Sequence, residues 1–477
     1  MEFVNNYLSS LMSKPFLVLS GSSGTGKTRL ALQVAQALER SNAGDSVLRL
    51  TVDQRGNIVD RTDDEVNDFC GESNDFTAFV EGSTYPISIQ LCSKVVPASS
   101  DLHTIIARNR TTAMEIRINR TNSQNRYEHV PVGADWNDSK HLLGYVNPFS
   151  ADGHPKYELT TTLRLIIRAL HPLNQELPFF LILDEMNLSH VERYFSNFLS
   201  LMEATRSSLD DQSLTLVSKT ELSIIQRTLI EECRDHEDSI ELLSVNNLIA
   251  EGKSITLPHN LFIVGTINVD ETTYMFSPKV LDRAHVIELN TKRPSSYFDV
   301  EGNNSIHFDD VDVVLSHFRD SIIRRREGLT ASSPKDYLSD QFEPDEFNEL
   351  YEKVKSIMNS LYDLLYPISF DFGYRVVAEV IEYLAVSKKI SPATPWNIQI
   401  DRVILQKILP KLHGNKKQLS ECLRAIESFL SGNAASFTWG GTTVSCTATN
   451  IELTNSKEKI NKMRMKLDAI GYTSFIT

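Results

Sequence analysis

Residues 16–38 read FLVLSGSSGTGKTRLALQVAQAL, and this stretch decides the fold. An apolar run ends at Leu19, a loop that fits GxxxxGK[ST] follows, and Leu30, Val34 and Leu38 then recur at helical spacing. The pattern predicts a buried strand, a phosphate-binding loop and a helix, and a plain glycine-rich turn is the alternative. The loop residues are Gly21, Ser22, Ser23, Gly24, Thr25, Gly26, Lys27 and Thr28.

The residue types in this loop suit a nucleoside triphosphate with Mg²⁺. Glycines let backbone N–H groups close around phosphates, and the start of the following helix adds the positive end of its dipole. Lys27 would reach the β- and γ-phosphates, and the Thr28 hydroxyl would bind Mg²⁺. We therefore expect residues 21–28 to hold the nucleotide.

A second apolar run, residues 179–183, leads directly into Asp184 and Glu185. A run this dense predicts a strand buried on both faces. Two adjacent acids at its end are costly to desolvate unless they serve a positive charge. We expect Asp184 to hold Mg²⁺, directly or through water, and Glu185 to act as general base on the attacking water. The alternative is a helix N-cap.

Three polar side chains further along complete the predicted catalytic set. Asn268 follows the apolar run 261–264 and would orient the lytic water. Arg283 lies where a helix passes into a strand, and it would reach the γ-phosphate of a neighbouring subunit. Arg375 lies in the first turn of a later helix and would touch the phosphates from a lid. Taken alone, either arginine is more typical of a surface salt bridge, and their order along the chain is what favours catalysis.

The order of these motifs resembles the AAA+ ATPases, and three longer stretches are similar to the McrB family. The similarity is close over 15–40 and 127–290 and looser over 365–385. The three stretches are VPVGADWNDSKHLLGYVNPF (130–149), LILDEMNLSHVERYFSNFLSLME (181–203) and GTINVDETTYMFSPKVLDRAHVIEL (265–289).

The resemblance implies an α/β AAA+ P-loop fold and a ring-forming motor. Family members use GTP, form hexameric rings and are stimulated by a McrC-type subunit that carries a PD-(D/E)xK nuclease. For this chain it implies Mg²⁺, GTP or ATP, a homo-oligomer that is a hexamer, a McrC-like nuclease subunit, and translocation or remodelling of DNA in restriction. The chain reads Asn268-Val269-Asp270-Glu271 and lacks the Arg that follows the family's Asp. A MoxR-type AAA+ chaperone, which remodels a protein without DNA, is the alternative function.

The sequence predicts three parts. Residues 1–292 would form the nucleotide-binding core, with a parallel sheet flanked by helices. This core would carry a partly β insertion at about 52–126 and a second insertion at about 205–255. Residues 293–390 would form a helical lid, and residues 391–477 a C-terminal helical region.

Charge is unevenly distributed within the first insertion. Residues 52–81 carry nine acids and two arginines, whereas residues 103–126 carry five arginines and one Glu. These five arginines are the candidate surface for DNA or a partner, and a solvated hairpin face that balances the acidic half is the alternative. They are Arg108, Arg110, Arg117, Arg120 and Arg126.

Composition limits the classes of protein that fit. The 477 residues suggest about three domains. The net charge of −14 should repel DNA and anionic membranes, so any DNA contact needs a local basic patch. The five cysteines form no CxxC pair, which fits a reducing compartment. The apolar run 16–19 is too short for a signal peptide, and we expect a cytoplasmic protein without membrane contact.

Overall fold

The computed structural model shows an α/β fold in which a five-stranded parallel sheet is flanked by helices. For the four strands between residues 47 and 119, only the backbone is described. The structure describes residues 2–39, 47–53, 75–80, 86–90, 113–119, 126–149, 153–204, 215–232, 239–269, 274, 276–291, 306, 308, 310–327 and 334–476.

Strands and helices are numbered in chain order. The strands are β1 (Phe16–Gly21), β2 (Val47–Asp53), β3 (Asp75–Val80), β4 (Pro86–Gln90), β5 (Ala113–Asn119), β6 (Tyr127–Pro131), β7 (Tyr145–Asn147), β8 (Lys156–Glu158), β9 (Phe179–Asp184), β10 (Leu261–Asn268), β11 (His285–Glu288), β12 (His413–Asn415), β13 (Ala435–Trp439), β14 (Thr442–Cys446) and β15 (Tyr472–Ser474). The α-helices are α1 (Glu2–Ser13), α2 (Lys27–Glu39), α3 (Lys140–Leu143), α4 (Thr161–Ala169), α5 (Val191–Tyr194), α6 (Ser196–Ala204), α7 (Lys219–Glu232), α8 (Ile240–Ala250), α9 (Pro278–Leu281), α10 (Val311–Arg326), α11 (Pro334–Ser339), α12 (Pro344–Leu365), α13 (Tyr374–Ile390), α14 (Trp396–Val403), α15 (Lys416–Leu430) and α16 (Thr454–Ile470).

The central sheet has the strand order β11-β1-β10-β9-β6, and every pairing in it is parallel. Gly21 at the end of β1 pairs with Asn268 at the end of β10, and Asp184 at the end of β9 pairs with Pro131 of β6. The register therefore brings the predicted loop, the acid pair and Asn268 to one edge of the sheet.

The predicted buried strands are confirmed. All six residues of β1 and all eight of β10 are buried. Leu17 and Leu19 pack with α1, α2 and α10 on one face, while Phe16 and Val18 pack with α4, α5 and α6 on the other. Because helices cover both faces, the positions before the terminal Asn268 are apolar or small, and none alternates with a charge.

The described residues of the first insertion form β-strands, in keeping with the predicted partly β unit, and the sheet also includes residues from Val47, before the predicted boundary at about 52. Its four strands are antiparallel in the order β2-β5-β3-β4. Arg117 lies in β5. Arg108, Arg110 and Arg120 lie outside the described residues.

The prediction that Arg126 belongs to an exposed basic surface is wrong. Arg126 is 3% exposed and directly precedes β6. Its Nη2 donates to the carbonyl oxygen of Leu38 at 2.6 Å, and its backbone N–H donates to the Glu39 carboxylate at 2.8 Å. Burial lowers the pKa of its guanidinium, against the attraction of Glu39. This arginine fixes the end of α2 to the sheet.

The second insertion packs on the core. The sequence has weak helical periodicity at Leu222, Ile225, Leu229 and Ile230; the first three are buried in α7, whereas Ile230 is exposed. Arg168 of α4 donates to Glu241 of α8 at 3.1 Å. This part of the chain is therefore docked on α4 by an apolar face and an ion pair.

The region predicted as a lid is helical where it is described, from α10 to α13. The C-terminal region is not purely helical, which corrects the prediction. β12 pairs with β15, and β13 pairs with β14 through Gly440 and Gly441, both at positive φ. Two glycines between short strands form the tight turn that a hairpin requires. Among the described residues, no helix is both long and apolar enough to cross a bilayer.

Candidate functional site

The loop between β1 and α2 curls around the side chain of Lys27. Gly24 and Gly26 have φ values of +78° and +88°, which L-residues rarely adopt. Lys27 is 5% exposed, and its Nζ donates to the carbonyl oxygens of Gly21 and Ser22 at 2.8 and 2.7 Å. The ammonium group is thus held inside the loop, where an anion bound by the loop would meet it.

Asp184 collects three hydrogen-bond donors at the end of β9. Its Oδ1 accepts from the hydroxyls of Thr28 at 2.6 Å and Thr266 at 2.5 Å. Its Oδ2 lies 3.4 Å from Nε2 of His129. Burial alone would raise the pKa of this carboxyl, but the two hydroxyls and His129 outweigh burial and lower the pKa. Asp184 is therefore anionic at neutral pH, as a Mg²⁺ ligand must be.

Glu185 and Asn268 are in direct contact. The amide Nδ2 of Asn268 donates to Oε1 of Glu185 at 3.1 Å. Glu185 has the left-handed backbone conformation φ 54°, ψ 46°, and its N–H donates to the Thr266 hydroxyl at 3.0 Å. A non-glycine residue held in this region carries backbone strain, which is common at functional sites. The turn directs the carboxylate of Glu185 toward the end of β10.

Asn187 is a site residue whose role the motif analysis missed. Its Nδ2 donates to the carbonyl oxygen of Asn268 at 2.9 Å, and its Oδ1 accepts from the Asn268 N–H at 3.4 Å. One side-chain amide thus fixes both backbone groups of the residue that contacts Glu185. The Asn at this position was visible in the sequence, but its partner lies 81 residues away, so only the folded chain identifies the role.

The residues present fit a triphosphate with Mg²⁺. The Thr28 hydroxyl and the Asp184 carboxylate are adjacent hard oxygen ligands of the kind that Mg²⁺ prefers. A Cβ placed on Gly24 or Gly26 would meet nothing within 4 Å, so the space over the loop is open. The loop also borders a cleft of about 1350 Å³, whose lining includes Arg402 and Lys459 of the C-terminal region.

Arg283 and Arg375 lie at the opposite edge of the sheet from the loop. Arg283 precedes β11, whereas the loop is level with the other end of that strand, where Ser20 pairs with Glu288. At roughly 3.3 Å per residue, β11 from His285 to Glu288 spans about 10 Å, and Arg283 lies before its first residue. Within one chain, neither arginine is brought to the loop, and the expectation that Arg375 touches phosphates stays a prediction.

The two arginines form what we call the arginine cluster, together with two acids and a lysine. Arg283 pairs with Glu203, which also accepts from Nη1 of Arg375 at 3.3 Å. Arg375 pairs in addition with Asp282, whose other oxygen lies 2.5 Å from Nζ of Lys411. The guanidinium of Arg283 holds the pKa of the Glu203 carboxyl below its ordinary value.

Comparison with known proteins finds similarity for one segment of the chain. A search of curated proteins returns no match. A family model matches residues 329–472, which is less than a third of the chain. This segment contains Arg375 but none of the loop residues, the acid pair or Asn268. It also crosses residue 390, where the sequence predicts the end of the lid. Residues 329–472 are similar to the family described as Domain of unknown function (DUF8727).

Proposed function

We propose that this chain is a nucleoside triphosphatase that hydrolyses GTP or ATP with Mg²⁺. One observation carries the proposal, namely that the hydrogen-bonded groups of Thr28, Asp184, Glu185 and Asn268 meet at the sheet edge that bears the loop. A hydroxyl and an acid for the metal, an acid for water and an amide to position it are the groups that phosphoryl transfer to water needs.

In the proposed reaction, Lys27 exchanges the carbonyl oxygens of Gly21 and Ser22 for phosphate oxygens. Thr28 and Asp184 would hold Mg²⁺, which offsets negative charge on the phosphates. Glu185 accepts a proton from water as the water oxygen bonds to the γ-phosphorus. The bond from that phosphorus to the β–γ bridging oxygen breaks, and the products are a nucleoside diphosphate and inorganic phosphate.

The cleft beside the loop is the proposed site of the nucleoside. Its lining includes Gly24 and Gly26 of the loop, residues of α1 and β11, and residues of α14 and α16 in the C-terminal region. Asp184 and Glu185 are not among the lining residues of the cleft. This suits a nucleotide whose nucleobase lies in the cleft and whose γ-phosphate lies outside it, near Glu185. Hydrogen-bond donors and acceptors both line the cleft. The proposal therefore keeps both GTP and ATP as substrates.

We infer that the arginines act on the nucleotide of a neighbouring subunit. Arg283 precedes β11 and Arg375 pairs with Asp282 beside it, so both lie near the opposite end of this strand from their own loop. A homo-oligomeric ring, proposed to be a hexamer, places one subunit's arginine cluster against the next subunit's loop. Each active site would then need two chains.

The proposed biological role is to drive DNA translocation or remodelling for a separate McrC-like nuclease subunit in restriction. The three stretches at 130–149, 181–203 and 265–289 support it, because they resemble the McrB family. They surround the acid pair, Asn268 and Arg283, so the resemblance is concentrated in the site itself.

The test of this role is plasmid cleavage with purified components. We expect the chain alone, with Mg²⁺ and nucleotide, to leave modified and unmodified plasmid intact. Cleavage should appear when a McrC-type nuclease subunit is added, and only with a hydrolysable triphosphate. The Asp184→Asn variant with the same partner is the matched control and should not support cleavage. Cleavage by the purified chain alone, abolished by mutating its own acids, would contradict the role of a motor.

A further inference from the structure

One exposed carboxylate serves both arginines of the arginine cluster. Glu203 accepts from Arg283 and, at 3.3 Å, from Nη1 of Arg375. A carboxylate and a phosphate present similar pairs of oxygens to a guanidinium, and both are bound in the same forked geometry. The two arginines therefore already form an anion site, and a side chain of the same molecule occupies it.

The other acid of the arginine cluster is fixed in place. The Asp282 carboxylate is held by Lys411 at 2.5 Å as well as by Arg375. Its backbone oxygen accepts from Lys14 at 3.2 Å and Lys407 at 2.5 Å. Lys14 and Lys407 are buried, so Asp282 belongs to the interior framework. It can keep Arg375 in position while another anion comes and goes.

Glu203 is the acid that can leave. Its side chain is 55% exposed, against 18% for Arg283 and 35% for Arg375. It lies in the last turn of α6, where the negative end of the helix dipole disfavours a carboxylate. Exposed ion pairs are also weak because water and salt screen them. In the part of the chain that the structure describes, only the two arginines pair with it.

Arg283 is incompletely satisfied in this arrangement. Its Nε is buried and has no hydrogen-bond acceptor within the described part of the chain. An unpaired buried donor is unfavourable. A larger anion that accepts a hydrogen bond from Nε would therefore stabilise Arg283 better than Glu203 does. The face is open in a single chain, since Tyr374, next to Arg375, is 95% exposed.

We propose that Arg283 and Arg375 form a binding site for a phosphate group and that Glu203 occupies this site until a phosphate displaces it. The inference rests on the proposed function in one respect, because the phosphate would be that of a nucleotide held by a second copy of the chain. In the isolated chain, Glu203 keeps the arginines paired. Assembly on a nucleotide exchanges a carboxylate for a phosphate.

The first test measures the anion site without the phosphate-binding loop. Pyrophosphate is titrated calorimetrically into the full chain carrying Lys27→Ala, with and without Glu203→Gln. Removing the competing charge should tighten binding about fivefold, since two weak exposed ion pairs are lost. Glu251→Gln is the control, because Glu251 is 53% exposed and pairs with Lys253, and it should change nothing. Adding Arg283→Ala to Glu203→Gln should abolish the gain. Unchanged or weaker binding in Glu203→Gln, and likewise in Glu203→Ala, would overturn the proposal.

The second test identifies the source of the phosphate. Light scattering follows assembly of the chain with Lys27 intact, in a non-hydrolysable triphosphate. Glu203→Gln should lower the protein concentration for half-assembly about fivefold. If Glu203→Gln raises the affinity for pyrophosphate but does not lower the concentration for half-assembly, the site binds free phosphate. That result would overturn the proposal that the phosphate belongs to a nucleotide on a second copy of the chain. A chain that hydrolyses no triphosphate but gains pyrophosphate affinity would contradict the proposed function and support the anion site.

Discussion

Glu185→Gln should abolish turnover and leave nucleotide binding intact. The amide of Gln keeps the size of the side chain and can still contact Asn268, whose Nδ2 now lies 3.1 Å from Oε1 of Glu185. What it loses is the ability to accept a proton from water, and general-base catalysis typically contributes a factor of about 10² to 10⁴. Phosphate release and binding of a labelled triphosphate, measured on the same preparation, separate the two effects.

A matched control tests whether neutralising any partly exposed acid would lower the rate of hydrolysis. Glu232 is partly exposed and pairs with Arg164 at 2.6 Å in the second insertion. Glu232→Gln removes one charge from a salt bridge, as Glu185→Gln removes one from the site, and it should hydrolyse at the wild-type rate. If Glu185→Gln also hydrolyses at that rate, Glu185 is not the base.

Arg283→Ala should lower turnover on the order of 10³-fold while the chain still binds nucleotide, because an arginine that stabilises the transferred phosphoryl group has an effect of this size. Its own loop is at the other edge of the sheet, so binding by that loop should not change. Arg326→Ala is the control, since Arg326 is an exposed arginine that forms only a long ion pair with Glu176, at 3.8 Å, among the described contacts. The control should keep wild-type turnover.

Mixing the two inactive variants tests whether a site is shared. In a mixed ring of Arg283→Ala and Glu185→Gln, some interfaces combine an intact Glu185 with an intact Arg283 from the next chain. Phosphate release should therefore return in part, with a maximum near equal amounts of the two variants. If no mixing ratio restores activity, the arginine does not act across an interface.

The strands that carry the site were predictable because their signals are local. Residues 16–19, 179–183 and 261–264 are continuous apolar runs, and burial on both faces of a parallel sheet demands this. Each strand also ends in glycine or polar residues: Gly21, Asp184 and Asn268. The edge of the sheet where these ends meet then follows from parallel pairing alone.

The misses come from contacts between residues that are distant in the chain. Arg126 was assigned to the exposed face by its arginine-rich surroundings, but its partners are the last residues of α2. His129 and Asn187 reach Asp184 and Asn268 through the sheet register, which a single sequence does not display. Glu203 ends an apolar helix, and its two arginines lie 80 and 172 residues further along.

The strands of the C-terminal region were missed for a different reason. β12 and β15 have three residues each, too few to show alternation. The hairpin of β13 and β14 did have a local signal, since Gly440 and Gly441 separate two short runs rich in Thr and aromatic residues. That turn pattern is a hairpin signature and was sufficient for a prediction.

Release of inorganic phosphate from GTP and from ATP tests the central claim most directly. The purified chain is compared with Lys27→Ala, with Mg²⁺ and with EDTA, at protein concentrations where the wild-type chain assembles. We predict Mg²⁺-dependent release from at least one triphosphate, and a reduction of about 100-fold or more in Lys27→Ala, because Lys27 lies inside the loop and would contact the phosphates. Release by the wild-type chain that does not exceed that of Lys27→Ala with either triphosphate would contradict the account.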